Sequence, residues 1–98
     1  MEKDTFYNFR PTDEVGNYVK FDDVNRRMMV KITTRLTSYP EDYALIRYED
    51  VKDAELTEDG GIRVLVSVGG DRVIPVSRRH PKEALTILSR IRTIGFKL

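Results

Sequence analysis

The chain has no cysteine and no tryptophan, and one histidine among its 98 residues. Without cysteine there is no disulfide and no thiolate metal site, and a reducing, cytoplasmic setting is the expectation. A lone histidine offers no metal-ligand spacing with other imidazoles. No apolar run approaches the roughly 18 residues of a membrane-spanning helix. The opening residues Met1-Glu2-Lys3-Asp4 are charged, so neither a signal peptide nor a membrane partner is expected. Internal repeats and low-complexity tracts are absent as well.

What is present fits a small folded protein. Hydrophobic residues make up 40% and charged residues 34% of the chain, a balance of globular rather than disordered sequences. The length predicts a single domain over 1–98 that buries its core with a thin margin, and residues 1–5 are expected to fray. The net charge of +1 conceals a split. Residues 1–60 hold nine Lys/Arg against fourteen Asp/Glu, whereas residues 61–98 hold eight against two. Such asymmetry either guides a charged partner or is spent on attraction between two faces of the same fold.

Short alternating segments dominate the pattern. Phe6 to Arg10 predicts a first strand ended by Pro11, and Thr12 to Gly16 reads as loop. Asn17 to Phe21 and Arg27 to Thr33 predict a hairpin around the turn residues Asp22-Asp23-Val24-Asn25. Within the second of these, Met28, Val30 and Ile32 share a face. Arg35 to Asp42 is irregular, because Pro40 has no backbone donor and restrains Tyr39. Ala44, Ile46 and Tyr48 alternate in the next strand, and Glu49-Asp50-Val51 reads as a corner of one helical turn.

Lys52 to Thr57 predicts a strand, followed by Glu58-Asp59-Gly60-Gly61, a strong hairpin signal since Asp-Gly suits positive φ. Ile62, Val64, Val66 and Val68 then alternate, Gly69-Gly70-Asp71 makes a second turn, and Arg72 to Val76 is a strand that Pro75 assigns to an edge or bulge. The only convincing helix covers 81–95. Pro81 suits its first position, Glu83 its first turn and Gly95 its end. Its apolar stripe is Ala84, Ile87, Leu88, Ile91 and Ile94, widened by Leu85, and Phe96 and Leu98 are expected to fold back onto the core. The expected fold is therefore mainly β: a bent antiparallel sheet or partial barrel of about seven short strands with one C-terminal α-helix capping it.

This order of elements resembles bacterial pleckstrin-homology-like (PH-like) domains, which are bent seven-stranded antiparallel barrels capped by a C-terminal helix. The resemblance is carried by Tyr18-Val19-Lys20-Phe21-Asp22-Asp23, by Ile46-Arg47-Tyr48-Glu49-Asp50-Val51 and by Glu55-Leu56-Thr57-Glu58-Asp59-Gly60. It spans roughly residues 17–94 and rests on short structural motifs. It implies a scaffold that binds other molecules. Lipid-binding relatives use a dense basic loop in the first hairpin. Here Lys20, Arg26 and Arg27 are interleaved with Asp22 and Asp23, so membrane binding is not expected. Separately, Ile74-Pro75-Val76-Ser77-Arg78-Arg79-His80 is similar to a segment of LytTR-type DNA-binding domains. Residues 30–50 lack the long helix and the basic segment of that family.

Few residues point to chemistry. His80 lies among Arg78, Arg79 and Lys82 with Glu83 as its only nearby acid, which is a poor setting for a catalytic base. Gly69-Gly70-Asp71-Arg72 precedes a strand rather than a helix and so reads as a turn, not a phosphate loop. The acidic pairs Asp22/Asp23, Glu41/Asp42, Glu49/Asp50 and Glu58/Asp59 fall in loops, where turn propensity and solubility account for them. The candidate site for an anion or a partner is the basic set Arg78, Arg79, Lys82, Arg90, Arg92 and Lys97. Leu65 is the candidate edge or interface residue, facing away from the other apolar residues of its strand.

The expected function is a non-enzymatic binding or assembly module of bacterial or phage type, acting through a protein partner or self-association. No cofactor, metal or small-molecule ligand is expected. Nucleic-acid binding through the basic C-terminal surface is the alternative.

Overall fold

A computed structural model describes residues 8–96. Its strands are β1 (Asp13–Val15), β2 (Val19–Asp22), β3 (Arg27–Lys31), β4 (Tyr43–Arg47), β5 (Val51–Leu56), β6 (Ile62–Val66) and β7 (Arg72–Ile74), followed by the helix α1 (Pro81–Gly95). All neighbours pair antiparallel, in one sheet of order β1-β2-β3-β4 and a second of order β5-β6-β7. The expected class is thus the observed one: mainly β, with a C-terminal helix.

The sheets part at the 3₁₀ turn Tyr48–Asp50, the corner expected at Glu49-Asp50-Val51. Tyr48 sits at its start and is buried. Its hydroxyl donates to Asp23 Oδ1 at 2.7 Å, which ties the corner to the β2–β3 turn. One hydrophobic core joins both sheets and the helix. Phe21, Met28 and Val30 meet Ile62, Val64 and Ile74, with Ile87 and Ile91 of α1 laid over them.

Several elements depart from the sequence expectations. Residues 8–10 form no strand, and Phe6 and Tyr7 lie outside the described residues, as do residues 1–5. The first described strand is Asp13–Val15, inside the stretch read as loop. Only Val15 is buried there, so local alternation could not reveal it, and its register is supplied by β2.

β3 is buried at all five positions rather than on one face. It lies between β2 and β4, and connecting chain covers its second face. Arg27 packs over the Phe9 ring, and the Lys31 ammonium donates to the Arg35 carbonyl. Ile32, expected in the core, falls beyond the strand end and is exposed.

In the second sheet β7 is an edge, as Pro75 required, while Val68 is exposed beyond the end of β6. In α1 the buried stripe is Ala84, Ile87, Leu88 and Ile91. Leu85 does not widen it but stands 57% exposed, and Phe96 does not fold back, at 73% exposed. Leu98 lies outside the described residues.

Gly95 ends the helix for a reason other than left-handed geometry. A Cβ there would come within 2.8 Å of the Lys52 carbonyl oxygen, so the last helical turn approaches β5 through a residue without a side chain.

Candidate binding surface

The acidic turns hold the largest surprise. Asp22 and Asp42 are both fully buried. Asp22 accepts from the Asn25 backbone at 3.1 Å and its amide at 3.0 Å, and from Arg27 Nε at 3.2 Å. Asp42 accepts from the Tyr39 backbone and from Thr33 Oγ1, both at 3.0 Å, and pairs with Arg35 at 3.3 Å. Burial pushes both carboxyls up, but these donors outweigh it and hold each below the ordinary 3.8. The two acids organise loops from inside, so turn propensity with solubility does not account for them.

The basic set divides. Arg90 reaches from α1 across to the first sheet, pairing with Asp23 at 3.0 Å and Asp13 at 3.7 Å, with its guanidinium 4.3 Å from the Phe21 ring centre. Asp23 lies below the ordinary carboxyl value, first because of the Tyr48 hydroxyl, with Thr12 and Arg90 adding against partial burial. Tyr48 is in turn raised, by burial and by that bond to Asp23.

Arg92 donates to the Ala54 carbonyl at 2.9 Å and lies 3.6 Å from Asp53. Arg78 bonds the Asp59 carbonyl at 3.3 Å and lies 3.6 Å from its carboxylate. Much of the charge split is therefore spent between the two halves of the chain. Arg79 and Lys82 are exposed and have no carboxylate within ion-pairing distance among the described residues. Lys97 lies outside the described residues.

Arg90 consequently acts as a clasp. Replacing it with alanine should lower stability by about 1.5 kcal/mol, since two partly screened ion pairs and a cation–π contact go together. Arg79→Ala should change stability by less than about 0.5 kcal/mol. Urea denaturation of the two variants beside the parent chain checks this; equal effects would show that Arg90 is no clasp.

Leu65, the candidate edge residue, is half-buried in β6, the middle strand of its sheet, so its strand has no free edge. The edges of that sheet are β7 and β5, and β5 is the one that packs beside α1. Thr57 donates to Gly61 across the hairpin, and with the register Glu55↔Arg63 and Leu56↔Ile62 this turns Ala54 and Leu56 outward. At Ala54 the edge is closed: its N–H donates to Asp53 Oδ1 at 2.8 Å and its carbonyl accepts from Arg92.

Leu56, the next outward position, is 50% exposed. Beside it lies an open, largely apolar groove of about 380 Å³ between the β5–β6 hairpin and the start of α1, lined by Leu56, Pro81, Ala84, Leu85 and the stem of Arg78. Of the basic set only Arg78 lines this groove, and Glu58 lines it as well. Helical spacing places Leu85 on the apolar stripe and alternation places Leu56 within a strand; tertiary packing leaves both half in water.

A second cleft, of about 510 Å³, opens between the β1–β2 turn, the chain after β3 and the segment leading into α1. His80 lies on its wall. The Ser77 N–H donates to Tyr18 Oη at 3.2 Å, and that hydroxyl lies 2.8 Å from His80 Nδ1, with Glu83 Oε2 3.6 Å from the same nitrogen. His80 is thus a link between the β1–β2 turn and the helix start.

Among the described residues no group of three or more His, Asp and Glu forms a metal-holding cluster, and no helix is long and apolar enough to cross a membrane. The class defined by this fold is a small domain of two antiparallel sheets closed by a C-terminal helix. No family model, curated protein or solved structure matches the chain.

Proposed function

We propose that this chain is a non-enzymatic, PH-like binding or assembly module of bacterial or phage type that acts by protein–protein contact through the groove between β5 and α1. The observation that carries the reading is the pairing of two half-exposed leucines, Leu56 and Leu85, across an apolar groove beside the one outward position of β5 that no side chain closes. An extended segment can add backbone bonds at such an edge while one apolar side chain seats between the leucines. Arg79 and Lys82, each next in sequence to a lining residue and without a carboxylate partner among the described residues, favour a segment with acidic residues beside its apolar anchor.

Nucleic-acid binding has less support. Arg78, Arg90 and Arg92 are engaged with acids or carbonyls inside the fold, and Asp53 and Asp59 interrupt the basic face. A backbone-tracking surface needs several free cations along one path.

Affinity capture with the parent chain, paired with Leu56→Asp/Leu85→Asp, tests the proposal. Both positions are already half in water, so the variant should keep its fold while a negative charge opposes both the apolar anchor and its acidic neighbours. The parent chain should retain an acidic protein, or a second copy of itself in sedimentation velocity, with the variant at least about tenfold weaker. Identical retention by both chains, or a strictly monomeric parent that retains nothing, overturns it.

A further inference from the structure

We infer that the cleft beside β3 is a binding site for a carboxylate carried on an apolar body, with Lys31 as its anchoring cation. The inference is independent of the β5 groove.

Lys31 is 8% exposed as a residue, and its ammonium is partly buried. Among the described residues its one acceptor is the Arg35 carbonyl, and no carboxylate lies within ion-pairing distance of it. An ammonium has three donors, and a buried charge is costly unless it is paired. Lys31 lines the 510 Å³ cleft, so the space where a counter-charge belongs is open to solvent.

The surrounding groups select the ligand. Arg35, on the same wall, already has its counter-charge in Asp42 at 3.3 Å. That leaves Lys31 as the lining cation with no carboxylate partner among the described residues, and it matches a single carboxylate group. Glu83, beside His80, also lines the cleft, and a second negative charge on the ligand would add to its repulsion. A dianionic phosphate is therefore disfavoured, and a carboxylate satisfies Lys31 alone. Leu36, Pro75 and the Tyr18 ring supply the apolar part of the lining, which suits a hydrocarbon attached to that carboxylate. Such a group comes either from a free short-chain acid or from the C-terminus of a peptide ending in an apolar residue.

The test uses amide chemical-shift titrations of the full chain with hexanoate, with a short peptide ending in free leucine, with the same peptide amidated, and with inorganic phosphate at matched ionic strength. Saturable shifts of Lys31, Thr34, Ser77 and His80 with hexanoate, the free-acid peptide or both are expected, at dissociation constants of about 1 mM. The amidated peptide and phosphate should be at least about tenfold weaker. Whichever of the two acids binds tighter names the source.

Lys31→Met should abolish the shifts. Leu36→Glu, at a position that is fully exposed and so indifferent to folding, should weaken binding several-fold by placing a negative charge at the mouth. No saturable shift with either acid overturns the inference. So does phosphate binding as tightly as the acids, or titrations of Leu36→Glu that superimpose on those of the parent chain.

Discussion

Asp22→Ala should lower the unfolding free energy by about 3 kcal/mol at neutral pH, a fall of roughly 15 °C in Tm for a domain of this size. Asp22 is wholly inside and gathers the β2–β3 turn through both Asn25 donors. It is also the counter-charge of Arg27, whose side chain is 4% exposed. Without it, a buried guanidinium that also bonds Asn8 and lies over the Phe9 ring loses the carboxylate 3.2 Å from its Nε. Most of the loss is the cost of breaking that buried pair.

The sign of the pH dependence follows from the same contacts. Asp22, Asp23 and Asp42 all lie below the ordinary 3.8 in the folded state. The stability they contribute is fully present above that value, and it is lost as pH falls through their lower folded values. Equilibrium urea curves should hold steady between about pH 6 and 8 and weaken below about pH 4, with a shallower decline for Asp22→Ala. A loss under about 1 kcal/mol at neutral pH would show that Arg27 finds water or another acceptor, contrary to its burial.

Gly61→Ala should cost about 2 kcal/mol, although alanine is the better residue for an ordinary strand approach. A Cβ at Gly61 would stand 2.6 Å from the Ile74 carbonyl oxygen and 3.3 Å from Thr57 Oγ1. Both neighbours are constrained. Ile74 is backbone of β7 in register with Ile62, and both side chains are fully buried. Thr57 Oγ1 accepts the Gly61 N–H at 3.0 Å and so closes the hairpin. Making room means moving β7 off β6 and opening the core between Ile62 and Ile74. Gly69→Ala is the matched control. A Cβ there meets nothing, so only the cost of its φ of +85° remains, about 1 kcal/mol. Thermal unfolding of the pair separates close approach from backbone strain, and an equal or smaller loss at Gly61 would contradict the crowding argument.

Gly61 also marks how far the sequence could be read. Its place in an Asp-Gly-Gly turn predicts the hairpin without any structure, because positive φ at Gly60 is a local demand. The reason the following glycine cannot change lies in β7, thirteen positions along the chain. The candidate surface divides the same way. That residues 61–98 are rich in cations is plain in the composition. That Arg90 is a clasp to Asp13 and Asp23, while Arg79 and Lys82 remain unpaired, depends on α1 crossing onto the first sheet. Leu65 was singled out for facing away from its strand's apolar row, but an edge is a property of the sheet, and the middle position of β6 came from pairing on both sides. Asp22 and Asp42 look like any acids in turns until their donors are counted.

By itself the sequence determined the elements whose signals are local. These are the strand that starts at Ile62, the Asp-Gly hairpin, the corner around Glu49 and Asp50 and the helix from Pro81 to Gly95, each set by period, turn chemistry or a helix end. Tertiary structure alone decided the burial of Asp22, Asp42 and Lys31, the short first strand, the exposure of Leu56 and Leu85, and the two open clefts. Propensity and periodicity act over a few bonds. Burial and ion pairing depend on which distant residues arrive, and a separation such as the 67 positions between Asp23 and Arg90 leaves no trace in either local pattern.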